Sequence, residues 1–167
     1  PAVIAGLLAI ATLSALWTNA PPPPPGTPLV RIVQPNIGID IREQDGGEDA
    51  LAALIRGSGQ PGPLPRLIVW PEGVLTDFLE SDYPDYVYRR RWPEVLRARI
   101  ARVLGPRDMV MTSGDPLSFD SIGDVTGAAN SVLAIDPRAR VIGRYDKAHL
   151  VPYGEYLPMR SLLTPLG

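Results

Sequence analysis

The sequence predicts an α/β layered fold built on a mixed sheet, and three observations carry that reading. Leu67, Ile68, Val69 and Trp70 form a short β-branched and aromatic apolar run with no alternation, which is how a strand covered on both faces of a sheet reads. Strand and helix candidates then succeed one another in the order strand, helix, strand, helix, before a run of strands. The last of these strands is joined through Asp136-Pro137-Arg138, a turn that predicts an antiparallel pair.

Taken in order, no charged residue appears before Arg31. A helix over Ala2 to Asn19 would be roughly 27 Å long, close to the hydrocarbon thickness of a bilayer. Trp17 falls near its end, where an interfacial aromatic belongs. A buried core helix is one rival, and a signal peptide is another, although it would carry a basic leading segment that is absent. Residues 1–20 are therefore read as a transmembrane helix at the end of a longer membrane region. The lack of Lys or Arg just after it points to a non-cytoplasmic side for the rest of the chain. Pro21 to Pro25 make a stiff spacer of about 15 Å, and residues 21–28 as a whole form a proline-rich linker.

Leu29 to Val33 is a strand that closes on Gln34-Pro35-Asn36. Glu48 to Arg56 reads as a short helix with Leu51, Leu54 and Ile55 on one face. Gly57 to Gly62 matches the dinucleotide pattern G-x-G-x-x-G, but it comes after a helix and before a strand, the reverse of what pyrophosphate binding requires, so it reads as a loop. Tyr83 to Arg91, rich in Tyr and Arg, reads as a solvated loop. Pro93 opens a third helix with Leu96, Ile100, Val103 and Leu104 on one face, ended by Gly105-Pro106. Met109 to Met111, Asn130 to Ile135 and Val141 to Tyr145 are the remaining strands.

Composition excludes some functions. The net charge of −2 argues against a nucleic-acid partner. With no cysteine there is no disulfide, thiolate metal site or thiol nucleophile among these 167 residues, and the single histidine, His149, cannot build a His-cluster metal site. Proline (20) and glycine (16) are abundant, yet 45% of residues are apolar, so the chain has many turns rather than disorder. It begins at Pro1 rather than a methionine, and it is expected to be a piece of a longer protein.

Two stretches carry chemistry. Pro71 cannot donate to a ladder, so pairing ends there and Glu72 is delivered at the carboxyl edge of the sheet, where α/β proteins build their sites. Beside Trp70 its carboxylate would be partly desolvated and its pKa raised, which suits a general base. A solvated strand-end glutamate is the alternative. The second stretch, Arg144 to Pro158, is polar, aromatic and punctuated by Gly and Pro, a loop that must hold a shape. In it Lys147 offers a positive charge for an oxyanion and Glu155 a second carboxylate, or both are solvated loop charges.

Val-Gln-Pro-Asn-Ile at 33 to 37, Trp-Pro-Glu at 70 to 72, Asn-Ser-Val-Leu at 130 to 133, and Tyr-Asp-Lys-Ala-His-Leu-Val-Pro-Tyr-Gly-Glu-Tyr at 145 to 156 together resemble the nitrilase (carbon-nitrogen hydrolase) superfamily, and within it the membrane-bound acyltransferase branch. The resemblance runs in the right order over nearly the whole chain. It implies an α-β-β-α layered domain, of which residues 29–167 would be the N-terminal part, truncated before a catalytic cysteine. It implies a Glu-Lys-Cys triad with Glu72 as base, Lys147 at the oxyanion and Glu155 as a supporting carboxylate. It implies no cofactor, a phospholipid acyl donor, a diacylglyceryl lipoprotein acceptor, and a place at the bacterial inner membrane with the domain on the periplasmic side. Such a triad needs the base because a thiol of pKa about 8.5 is a poor nucleophile until deprotonated. This piece alone would be inactive. The family often has a tryptophan shortly after the Gln-Pro-Asn-Ile phrase, where this chain reads Ile41-Arg42-Glu43. A soluble-type amidase and a non-catalytic membrane-tethered binding domain are the competing readings.

Overall fold

A computed structural model describes residues 2–18, 23–38, 47–88 and 90–149. Glu155, residues 41–43 and the side chain of Trp17 lie outside the described residues. The described elements are α1 (Ala2–Thr18), β1 (Leu29–Ile32), α2 (Glu48–Ser58), β2 (Arg66–Val69), α3 (Pro93–Ala101), β3 (Met109–Gly114), β4 (Leu117–Phe119), β5 (Val125–Ala128), β6 (Ser131–Ile135) and β7 (Val141–Asp146), with a 3₁₀ turn at Asp85–Val87.

Five strands form one sheet in the order β1-β2-β3-β6-β7. The first three are parallel, joined by crossovers through α2 and α3, while β6 and β7 add antiparallel. The mixed α/β sheet expected from the order of elements is therefore present. The hairpin β4–β5 was not anticipated: its strands are three and four residues long and too polar for a period-two pattern to stand out.

Each helix begins and ends where its residues dictate. Gly47 takes φ 76° ahead of α2, Glu48 and Asp49 lie at the positive end of the helix dipole, and Arg56 lies at the negative end. The positive φ of Gly59 then turns the chain away. Pro93 occupies the first turn of α3, where its missing N–H costs nothing. The helix stops at Ala101, so Val103 and Leu104 lie beyond it rather than on its face, although Leu104 still packs against the core.

One face of the sheet is the core. Ile68, Val110, Leu133 and Ile135 pack in a single cluster with Leu51 and Leu54 of α2 and Leu96 and Ile100 of α3. Among the described residues no element packs on the opposite face, which corrects the expectation that Leu67 to Trp70 is covered on both sides: burial alternates along β2, with Arg66 and Ile68 buried and Leu67 and Val69 only half-buried. Because side chains alternate and the register aligns strands, Val30, Ile32, Leu67, Val69, Met111, Val132 and Tyr145 share this face. Ile32 is 76% exposed.

The core is pinned at one edge by a buried ion pair. The Arg66 guanidinium donates to Asp108 Oδ2 from Nε at 2.9 Å and Nη2 at 2.7 Å, and also to the carbonyls of Ser58 and Val103. One side chain thus ties β2 to the ends of both helices.

The Tyr/Arg segment is also not a solvated loop. Tyr83 stacks on Tyr88 at 6.0 Å and meets Phe78 and Phe119, while Tyr88 meets Trp92. Arg91 pairs with Asp77 at 2.9 Å and Glu48 at 2.8 Å. Aromatic residues spaced irregularly in a loop bury one another, an arrangement that no periodicity announces.

Helix α1 forms where expected. At 17 residues it is one of the described helices, none of which is long and apolar enough to cross a membrane, so the predicted span is not supported. Its Val3, Ile4, Leu7, Leu8, Ile10 and Leu13 are all exposed.

Candidate functional site

The site lies at one end of the sheet, and topology explains why. The parallel strands β2 and β3 finish at this end. Because β6 runs antiparallel to β3, pairing Ser131 with Gly114, β6 starts there; and because β7 reverses again, pairing Asp146 with Ser131, β7 finishes there. Residues from four distant stretches thus converge: Glu72 after β2, Ser113 and Asp115 at the end of β3, Asn130 before β6 and Lys147 after β7.

The ladder runs one residue past β2, with Trp70 N–H donating to Met111 O at 2.9 Å, and then stops at Pro71. Gly73 takes φ 68°, in the left-handed region that favours glycine, and its N–H donates to Ser113 Oγ at 3.1 Å. This turn holds Glu72 outward. The Lys147 backbone N–H donates to Asn130 O at 2.8 Å, so the lysine starts from a fixed point.

Lys147 Nζ is 4.0 Å from Glu72 Oε1, and Asn130 Nδ2 donates to that same oxygen at 2.6 Å. All three border a cavity of about 320 Å³ whose other walls include Val69, Met111, Val132 and Tyr145 from the open face of the sheet. It therefore joins a charged rim to an apolar floor.

The expected desolvation of Glu72 is not found. Its side chain is 63% exposed and that of Lys147 33%. Trp70, which was to bury the carboxylate, instead points into the core, where its Nε1 donates to Ser58 Oγ at 2.9 Å. Side chains alternate along the strand, so Trp70 lies with Ile68 on the helical side, and the turn at Glu72 and Gly73 carries the carboxylate away from it.

Nearby charges are sorted. Arg144 is bound to Asp146 at 2.5 Å, and Ser131 Oγ also donates to Asp146; these bonds hold the Asp146 carboxyl below its usual range. Partial burial, and secondly the negative charge of Glu72, push Asp115 up, although the residue as a whole is exposed. Among the described residues no group of His, Asp and Glu could hold a metal ion. A larger cavity of about 390 Å³ lies elsewhere, between Phe78, Tyr88, Arg90 and Arg91.

Sequence reasoning brought out Glu72 and Lys147, and these meet. It gave no role to Asn130, Ser113 or Asp115. Asn130 was visible as the first residue of a predicted strand and of the Asn-Ser-Val-Leu phrase, although the strand itself starts at Ser131.

The fold and the site define a mixed α/β protein with a carboxylate and an ammonium group paired over an apolar cleft. In sequence the chain is a homologue of part of the apolipoprotein N-acyltransferases. It is 38% identical over 157 residues to the one from Sinorhizobium medicae, 35% over 156 residues to that of Sinorhizobium fredii, and 35% over 147 residues to that of Brucella suis. These matches cover 88%, 89% and 85% of this chain. The chain spans only about 27%, 27% and 26% of the length of those relatives. No family model matches it.

Proposed function

We propose that the chain supplies the base and the oxyanion-stabilising group of an apolipoprotein N-acyltransferase whose thiol lies outside these residues. The observation that carries this reading is the approach of Lys147 to Glu72 at the mouth of an apolar cavity. Glu72 takes the proton of the cysteine thiol, and the thiolate attacks the ester carbonyl carbon of a phospholipid. The oxyanion that forms is met by Lys147, a fixed charge worth several kcal/mol, on the order of what one such donor supplies elsewhere. Collapse expels the lysophospholipid alkoxide, which regains the proton, and leaves a thioester. The α-amino group of a diacylglyceryl-cysteine then attacks the thioester, forming the amide and releasing the thiol. Glu155 is assigned a supporting role on the strength of its motif alone.

The rest of the architecture fits the same reading. The open apolar face is where the second sheet of an α-β-β-α sandwich would pack. The exposed apolar side chains of α1 are assigned to lipid, and the proline-rich linker to holding the domain off the inner membrane on the periplasmic side.

The test uses the full-length protein in mixed micelles with phospholipid carrying a labelled acyl chain. Glu72→Gln is expected to slow formation of the hydroxylamine-labile acyl-enzyme by about 10²- to 10⁴-fold, the usual worth of a general base. Near-normal acylation of that variant would refute the assignment. The 167-residue chain alone should form no such adduct, having no thiol.

A further inference from the structure

We propose that Asn130 is a positioning residue for Glu72, fixing one oxygen of the carboxylate so that the other receives the proton. The inference rests on the reading of Glu72 as base. An exposed glutamate has three side-chain torsions and no reason of its own to stay aimed at a thiol. Here Asn130 Nδ2 donates to Oε1 at 2.6 Å, and Lys147 Nζ approaches the same oxygen to 4.0 Å. Both contacts fall on Oε1, which makes Oε2 the oxygen that takes up a proton.

Asn130 can do this because its own backbone is held. Its carbonyl accepts from the Lys147 N–H at 2.8 Å, and it sits one residue before the Ser131–Asp146 pairing of β6 with β7. One residue therefore sets the start of the lysine side chain through its backbone and the direction of the glutamate through its amide. Replacing the side chain leaves the backbone bond in place, so the two effects separate. Among the described residues, Lys147 and Tyr145 from the β7 side and Asp115 from the end of β3 also lie around Glu72.

The loss has a definite signature. Without the amide N–H the carboxylate turns among its side-chain torsions and is aimed at the thiol less often, so the chemical step slows while phospholipid binding does not. A carboxylate in place of the amide repels Glu72 instead of holding it, and slows the step further.

The experiment measures kcat and KM for phospholipid in full-length wild type, Asn130→Ala, Asn130→Asp and Glu72→Gln, with thermal midpoints alongside. Asn130→Ala is expected to lower kcat about tenfold, the worth of one hydrogen bond to a charged group. KM and the thermal midpoint should be nearly unchanged. The near-isosteric Asn130→Asp should lose more in kcat, again at constant KM. An unchanged kcat in both variants, or a loss of kcat that comes with a raised KM or a lower thermal midpoint, overturns the proposal while leaving Glu72 as base. Retained turnover in Glu72→Gln overturns both.

Discussion

Replacing Lys147 separates two roles by size. The ammonium group lies 4.0 Å from Glu72 Oε1. Coulomb's law gives a pair at that distance about 1 kcal/mol in water and about 4 kcal/mol at an effective dielectric of 20. Glu72 is mostly exposed and Lys147 a third exposed, so solvent screening brings the pair to about 1 kcal/mol or less. As a counter-ion alone, then, Lys147 is worth about fivefold in rate. As the group that meets a developing oxyanion it is worth about 10²- to 10³-fold. The assay is single-turnover acylation of full-length protein by labelled phospholipid, comparing wild type with Lys147→Met and Lys147→Arg. Lys147→Met is expected to lose about a hundredfold or more in the acylation rate, with KM little changed and the thermal midpoint unchanged. Lys147→Arg keeps the charge but not the compact ammonium, and should recover only part of the rate. A loss of fivefold or less in Lys147→Met would refute the oxyanion role and leave the lysine a mere neighbour of Glu72.

Two further predictions concern stability. Asp108→Ala strands the Arg66 guanidinium, whose side chain is 5% exposed, and should cost about 3–5 kcal/mol in a denaturant titration; a cost below about 1 kcal/mol would mean the network relaxes freely. Burial alone would push Asp108 up, but the hydrogen bonds from Arg66 and Gly105 outweigh it and hold the carboxyl low. Its contribution is therefore complete above its unfolded value, about 3.9, and lost as pH falls through the lower folded value. Glu80 has the opposite sign. Both its carboxyl oxygens are buried without a hydrogen-bond partner among the described residues, and burial pushes its pKa up. Its protonated form stabilises the fold below the unfolded value, about 4.3, and that contribution is lost as pH rises through the folded value. Glu80→Gln should raise the thermal midpoint at pH 7 to 8 and change it little near pH 4; a lower midpoint at pH 7 would contradict this.

Much of the path to the site was legible residue by residue. Pro71 had to end a ladder, Pro93 had to open a helix, and the turn at Asp136 to Arg138 had to reverse the chain, because each acts on its own backbone. The hairpin β4–β5 was not legible because its strands are too short for a period to show, and the aromatic packing around Tyr83 was not because it joins irregularly spaced neighbours to the distant Phe119. The direction of Trp70 is the instructive case. A large aromatic close to a carboxylate suggests burial of both, yet strand alternation sends Trp70 into the helical layer while the turn after Pro71 carries Glu72 out.

By itself the sequence determined the kinds of element, their order, and that a carboxylate would leave a strand end at Glu72 and an ammonium a strand end at Lys147. Only the tertiary structure decided that these ends coincide. Asn130 lies 58 residues from Glu72, and the two meet because β6 runs against β3, so that a strand's beginning is brought beside other strands' finishes. Strand direction is fixed by pairing between distant segments, and no local pattern of residues contains it.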